Sequence, residues 1–203
     1  PGEVVEVLPE QGVTIETPAA FIQGIFGIGG ETGGEIVIAS KSPDEVLTEE
    51  QIVNEWAGKV VVGGSLVTGG ALKKASEVGI AGLVAGGIED SDLKNFLGYN
   101  IGVAITGHEA INTTVIITEG FGRMTMLERT FSLLKRFEGK KACISGTTQV
   151  RAGVIRPEVI IPHVGFASPE AVEKSSTMKS LDLGSRIRII REPNFGSTGR
   201  VVE

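Results

Sequence analysis

Lys59-Val-Val-Val-Gly-Gly-Ser-Leu-Val-Thr-Gly-Gly70 decides how the middle of this chain is read. Three consecutive valines form a short apolar run without alternation, as a strand buried on both faces requires, and glycines punctuate its end. From Gly69 to Val78 the spacing of apolar residues becomes helical, so a strand hands over to a helix. The same grammar recurs at once: Gly82-Leu-Val-Ala-Gly86 predicts a second strand and Ser91 to Leu97 a second helix, which makes a βαβα unit.

Upstream, Ser42-Pro43-Asp44-Glu45 and Thr48-Glu-Glu-Gln51 have the form of capping boxes, and a short helix ending near Trp56 is expected. Downstream, strands are expected at 102–106 and from Thr113 to Thr118. They stand too close together for a helical crossover, so they are antiparallel or differently placed. Thr125 caps what reads as the longest helix, running to about Phe137, and strands follow at Lys141–Ser145 and Val159–Ile161. Residues 42–165 are therefore read as a three-layer α/β domain with a mixed sheet. Residues 1–41 read as a separate small all-β unit, 166–183 as a polar linker, and 184–203 as a further β segment. The loop Gly24-Ile-Phe-Gly-Ile-Gly-Gly-Glu-Thr-Gly-Gly34 is not a dinucleotide fingerprint, because no helix pattern follows to hold a pyrophosphate. It is either a tight β connection burying Phe26 and Ile28 or a flap exposing them.

The 29 glycines gather at the ends of apolar runs, which makes them turns rather than a low-complexity tract. A formal net charge of −6 excludes a broadly basic nucleic-acid-binding surface, so any such contact is local. The lone Cys143 excludes an internal disulfide and fits a reducing compartment, where a buried, inert thiol is expected. With no apolar run of membrane-spanning length and no secretory leader, the expectation is a cytoplasmic protein with no membrane contact. The start on Pro1 and the stop at Val-Val-Glu203, inside a returning strand, point to a piece of a longer protein.

Ligands of open α/β sheets bind where strands hand over to helices, so the candidate chemistry lies there. Gly64, Ser65 and Thr68 precede a helix and form a candidate cradle for a small anionic ligand, although no Walker motif is present. His108, Glu119 and Arg123 supply a proton carrier, its partner and an anion clamp, and Gly146 to Gly153 adds hydroxyls and Arg151 to the expected rim. The plainer reading of each is a turn, a cap or a loop contact, so neither a reaction nor a catalytic residue follows. His163 and His108 have no metal-ligand spacing, and neither a metal nor a cofactor is implied.

In the tail, Gly184-Ser-Arg-Ile-Arg-Ile-Ile-Arg-Glu-Pro-Asn-Phe-Gly-Ser-Thr-Gly-Arg-Val-Val-Glu203, Ile187 and Ile189 alternate with Arg186 and Arg188 as on a half-buried strand. Pro193 ends the run, and Gly196 and Gly199 permit a tight return to Val201. These residues resemble a KOW motif of NusG-type transcription factors and ribosomal proteins, with Pro193, Phe195, Gly196, Gly199 and Val201 in place. The resemblance covers residues 184–203 alone and implies a strand pair of a small β-barrel that contacts RNA or a protein partner of the transcription or translation machinery. Arg186, Arg188, Arg191 and Arg200 would meet phosphates, and Phe195 would stack on a base or a partner's side chain. Two other classes stand beside this binding or regulatory protein: an enzyme or small-anion binder using the rim, and a homo-oligomeric assembly protein packed through its glycine loops.

Overall fold

The computed structural model describes residues 2–99, 105–106, 111–149, 155–162, 182–184, 186–188 and 198–202. Two compact units emerge, one formed by residues 19–162 and the other by residues 2–18 together with 163–203. Residues 19–38, expected in one all-β unit with the N-terminus, instead enter the large sheet of the first unit.

The strands of that sheet are β3 (Ala19–Gln23), β4 (Phe26–Ile28), β5 (Glu31–Ile38), β6 (Val46–Leu47), β7 (Val60–Val62), β8 (Leu66–Val67), β9 (Gly82–Ile88), β11 (Thr114–Phe121), β12 (Lys141–Ser145) and β14 (Glu158–Pro162). The remaining strands are β1 (Glu3–Leu8), β2 (Gly12–Glu16), β10 (Ile105–Thr106), β13 (Thr148–Gln149), β15 (Arg186–Arg188) and β16 (Thr198–Arg200). The helices are α1 (Gly69–Val78), α2 (Asp90–Leu97) and α3 (Glu128–Arg136). The ten-stranded mixed sheet runs β3-β14-β12-β5-β7-β9-β11-β4, with β6 and β8 attached beside β9. Parallel β5, β7, β9 and β11 form its middle, and β12 and β14 extend it antiparallel.

The period-2 geometry of strands sorts their side chains into two cores. Val61, Leu83, Ala85, Val115 and Ile117 pack with Ala71, Leu72 and Ala75 of α1 and Leu93 of α2. Val60, Val62, Val84 and Ile116 join Phe131 and Leu134 of α3 and Ala142, Ile144, Val159 and Ile161 of the antiparallel strands. The all-valine run works on both faces at once, which is why it shows no alternation.

The sheet's two ends belong to consecutive residues. β3 and β4 are separated only by Gly24 and Ile25, whose amides donate to Pro157 O and Ile117 O, each at 2.8 Å. The chain thereby steps from the β14 end to the β11 end, and the sheet curls. The curl is tight: a side chain on Gly27 would come within 2.7 to 2.9 Å of Gly146 O, Pro157 Cβ and Val115 O, so only glycine fits there. Ile28 is fully buried and Phe26 stacks obliquely on Phe121 at 5.1 Å, so the glycine-rich loop is the tight β connection rather than a flap.

Several expectations change on contact with the fold. The helix expected up to Trp56 is two 3-10 turns, Glu49–Gln51 and Asn54–Trp56, because the β-branched Ile52 and Val53 between them adopt extended backbone. The Thr48–Gln51 capping box is nonetheless formed. Ser42 to Glu45 closes a turn that leads into β6, not into a helix. α3 starts at Glu128 after Leu127 instead of being capped at Thr125, and α1 exceeds it in length. Cys143 is exposed, since Ala142 and Ile144 take the inward positions of β12. Among the described residues no helix is long and apolar enough to cross a membrane.

Core and surface assign different weights to residues of one chemical type. Ile116, fully buried between β9 and β4, is expected to cost about 3 kcal/mol when changed to alanine. Ile15, 57% exposed on β2, is expected to cost under about 0.5 kcal/mol. Denaturant titration of both variants checks the contrast.

Candidate functional site

At the carboxyl end of the parallel strands, where a ligand was expected, the main chain itself fills the space. Gly64 O accepts the Gly86 amide at 2.7 Å, Ser65 O accepts the Met124 amide at 3.0 Å, and Pro43 O accepts the Met126 amide at 3.0 Å. Two loops, 40–45 and 122–126, thus lie across the strand ends. The glycines follow from that crossing: a Cβ on Gly86 would collide with Met124 O, on Gly87 with Gly122 O, and on Gly64 with Glu45 O. Ser65 is fully buried, its hydroxyl donating to Asp44 O at 2.7 Å and its amide to Glu45 O at 2.8 Å. Arg123 Nη2 donates to the same Asp44 O at 3.3 Å.

Glu119 is buried and structural. Its Oε1 accepts the Leu127 amide at 2.9 Å and the Thr118 hydroxyl at 3.4 Å, placing a carboxylate at the positive N-terminal end of α3. Thr68 accepts the Ala71 amide at 3.2 Å and caps α1. The expected anion cradle beside it already holds the chain's own carboxylates: Asp92 accepts the Gly69 amide at 2.8 Å, and Glu49 Oε2 sits against Gly70. An incoming anion would meet both.

The expected common rim is split between two edges of the sheet. Gly64 and Gly120 lie at the carboxyl end, Gly120 paired with Gly87. Thr106 pairs with Thr148, while Gly146 approaches Ile28, which is paired with Val115 near the start of β11. Six residue steps along β11 separate Val115 from Phe121, about 20 Å of strand. The short pair β10–β13 draws Thr106 to the amino-terminal edge, a placement that strand-by-strand reading of the sequence does not contain. His108, Arg151 and His163 fall outside the described residues. Among the described residues no three His, Cys, Asp or Glu side chains converge as a metal-ligand set would.

An open groove of about 960 Å³ lies beside α1 and α2, lined by Lys73, Ser76, Glu77, Asp92, Asn95 and Asn112. These residues are polar and mixed in charge, and none had been singled out from the sequence. Their signal was spread over two helices and a loop. Among the described residues Ser40 Oγ, two residues past the end of β5, is buried without a hydrogen-bond partner. One hydroxyl does not make a site.

In the second unit, the strand and return expected between Arg186 and Val202 are present as antiparallel β15 and β16. Arg186 stands opposite Arg200, Ile187 opposite Gly199 and Arg188 opposite Thr198, and the Gly184 amide donates to Val201 O at 2.7 Å. The pairing puts the Arg186, Arg188 and Arg200 positions on one face and Ile187 with Gly199 on the other. Arg191 and Phe195 lie outside the described residues. Hairpin β1–β2 has the same build with opposite charge, Glu3 standing opposite Glu16 and Glu6 opposite Thr14. No protein-family model matches the chain, and neither the curated proteins nor the solved structures compared with it give a match.

Two measurements separate scaffold from chemistry at the carboxyl edge. Glu119→Ala leaves the part-buried Leu127 amide at the start of α3 without this acceptor and is expected to lower stability by about 1–2 kcal/mol in denaturant titration, with Glu119→Gln losing less. The hydrogen bond from Ser42 and then the bond to its own amide hold the Asp44 carboxyl below its ordinary value against the opposing effect of desolvation, and the charge of Arg123 adds a smaller downward pull. A depressed carboxyl favours the fold above the ordinary carboxylate range, and that contribution is lost as pH falls through the depressed value. Ser42→Ala is expected to move the Asp44 midpoint upward in an NMR pH titration.

Proposed function

We propose that this chain is a cytoplasmic binding or regulatory protein whose C-terminal hairpin contacts RNA, with the α/β unit as its supporting body. The observation that carries this reading is the pairing of Arg186 with Arg200 across β15 and β16, with Arg188 on the same face. Like charges directly opposite one another destabilise a strand pair, so three arginine positions on one side of a short hairpin favour an anionic partner. The KOW-like spacing of residues 184–203 supports RNA as that partner and the transcription or translation machinery as its setting. The single cysteine of the chain agrees with a reducing compartment.

The enzyme reading loses support. Ser65, Thr68 and Glu119 are engaged in caps and loop closure, and the edge they occupy is covered by main chain. For the body we infer a three-layer build, in which α1 and α2 cover one side of the parallel strands while α3 and the antiparallel strands cover the other; the two alternating cores support it.

With a net charge of −6 on the chain, RNA affinity must come from the hairpin. Neutralising three or four phosphates predicts a weak interaction whose affinity falls with salt at a log–log slope of about −2 to −3 for a single strand. Titration of labelled single-stranded RNA at two salt concentrations, with wild type and Arg186→Glu/Arg188→Glu, checks this. Equal binding by both proteins would place the contact elsewhere, and no binding by wild type at low salt would favour a protein partner for the same face.

A further inference from the structure

The antiparallel end of the large sheet turns one face outward, because Ala142, Ile144, Val159 and Ile161 take the inward positions of β12 and β14. Outward positions of such a sheet are ordinarily polar. One row departs from that rule. Phe21 pairs with Ile160, Ile160 with Cys143 and Cys143 with Gly33, so four strands line up an apolar row about 14 Å long. Phe21 is 54% exposed, Cys143 is exposed too, and Ala19 paired with Pro162 extends the apolar area on one side. On the other side runs an acidic row, Gln23, Glu158, Ser145 and Glu31 in successive register. Among the described residues no ion pair engages Glu31 or Glu158, whereas Glu35, further along β5, is matched by Lys59 at 3.8 Å. Where the two rows meet, Gly33 contributes no side chain, and a concavity of about 370 Å³ opens between Glu31, Cys143, Ser145, Glu158 and Ile160.

We propose that this face docks an extended basic segment of a partner protein, which sets an apolar side chain into the concavity over Gly33 and a lysine or arginine against Glu31 and Glu158. An extended segment laid along the apolar row places alternate side chains on it, and a long basic stem reaches the acidic row about 7 Å to the side. Charge selects the occupant. A nucleic acid or an anionic lipid surface is repelled by the acidic row, and a second copy of the chain would crowd its own Glu31, Glu35 and Glu158 onto the same small area. The patch is smaller than a permanent interface needs, so the contact is transient and is weakened by salt. It lies on the body of the protein and does not depend on the RNA reading of the tail.

Cys143, the only cysteine of the chain, sits in the apolar row and reports its occupancy. The test follows alkylation of the full chain by iodoacetamide at low salt, with a short peptide alternating lysine with valine or phenylalanine as the probe. A cation that merely stays nearby favours the thiolate and speeds the reaction, so slowing reports coverage. Alkylation is expected to slow about fivefold at a peptide concentration about four times its dissociation constant. The same peptide with glutamate for lysine, or with serine for its apolar residues, is expected to leave the rate unchanged. Glu31→Lys/Glu158→Lys and, without any change of charge, Phe21→Ser are each expected to abolish the protection, with thermal melting as in wild type showing that they fold. No slowing in wild type at any soluble peptide concentration, equal slowing by the glutamate or serine peptide, or protection retained in the folded variants would each overturn the docking of a basic segment. Alkylation that slows with rising protein concentration in the absence of peptide would assign the face to a second copy and overturn it as well.

Discussion

The Gly24 and Ile25 amides donate in opposite directions, one to the β14 side of the sheet and the other to β11, and most of the first unit's architecture follows from that step. Because the chain crosses between the ends of the sheet within two residues, the sheet must curl. The antiparallel strands are thereby brought over the parallel ones, and Ile144 of β12 comes to rest on the start of β9 at Gly82. Glycines at 24, 27 and 146 mark the places where the curl forces backbones together. The inner core is sealed as much by strands as by α3, so a short helix suffices on that side.

The same economy of space explains why the carboxyl edge is an unpromising place for chemistry. In an open α/β sheet the strand ends leave a crevice, but here loops 40–45 and 122–126 bridge them with backbone hydrogen bonds. Helix α1 presents the partial positive charge that attracts anions, and Asp92 of the neighbouring helix answers it from within the molecule. The two terminal hairpins, by contrast, each place a like-charged pair of positions directly across their strands, Glu3 with Glu16 and Arg186 with Arg200.

The parts legible in the sequence were those fixed by local periodicity. The valine run, helix α1, the strand from Gly82 and the strand from Lys141 appear where the pattern puts them. Boundaries failed where a single residue type outweighed the pattern, as when Ile52 and Val53 broke a capped helix into two turns. The rim failed for a different reason: Thr106 ends an expected strand much as Gly64 follows one, but the β10–β13 pairing carries it to the far edge, and pairing partners are long-range facts. The role of Glu119 was also out of reach, because its partner at Leu127 lies beyond a turn whose shape depends on the covered strand ends. The Arg186 alternation was readable, but its register against Arg200, which sets the arginine positions facing each other, was not.

The strand order of the curled sheet also has a consequence during synthesis. Gln23 pairs with Glu158, and Phe26 with Ile117, so β3 and β4 emerge from the ribosome with no partner strand yet made. At ordinary elongation rates the β14 segment follows on the order of ten seconds later. During that interval Phe21, Ile22, Phe26 and Ile28 form an apolar segment without its strand partners, the kind of transiently exposed surface that favours association with other chains. The partners of the parallel β5-β7-β9 core are all made by Ile88, whereas the pairs at both ends of the curled sheet need residues up to Pro162.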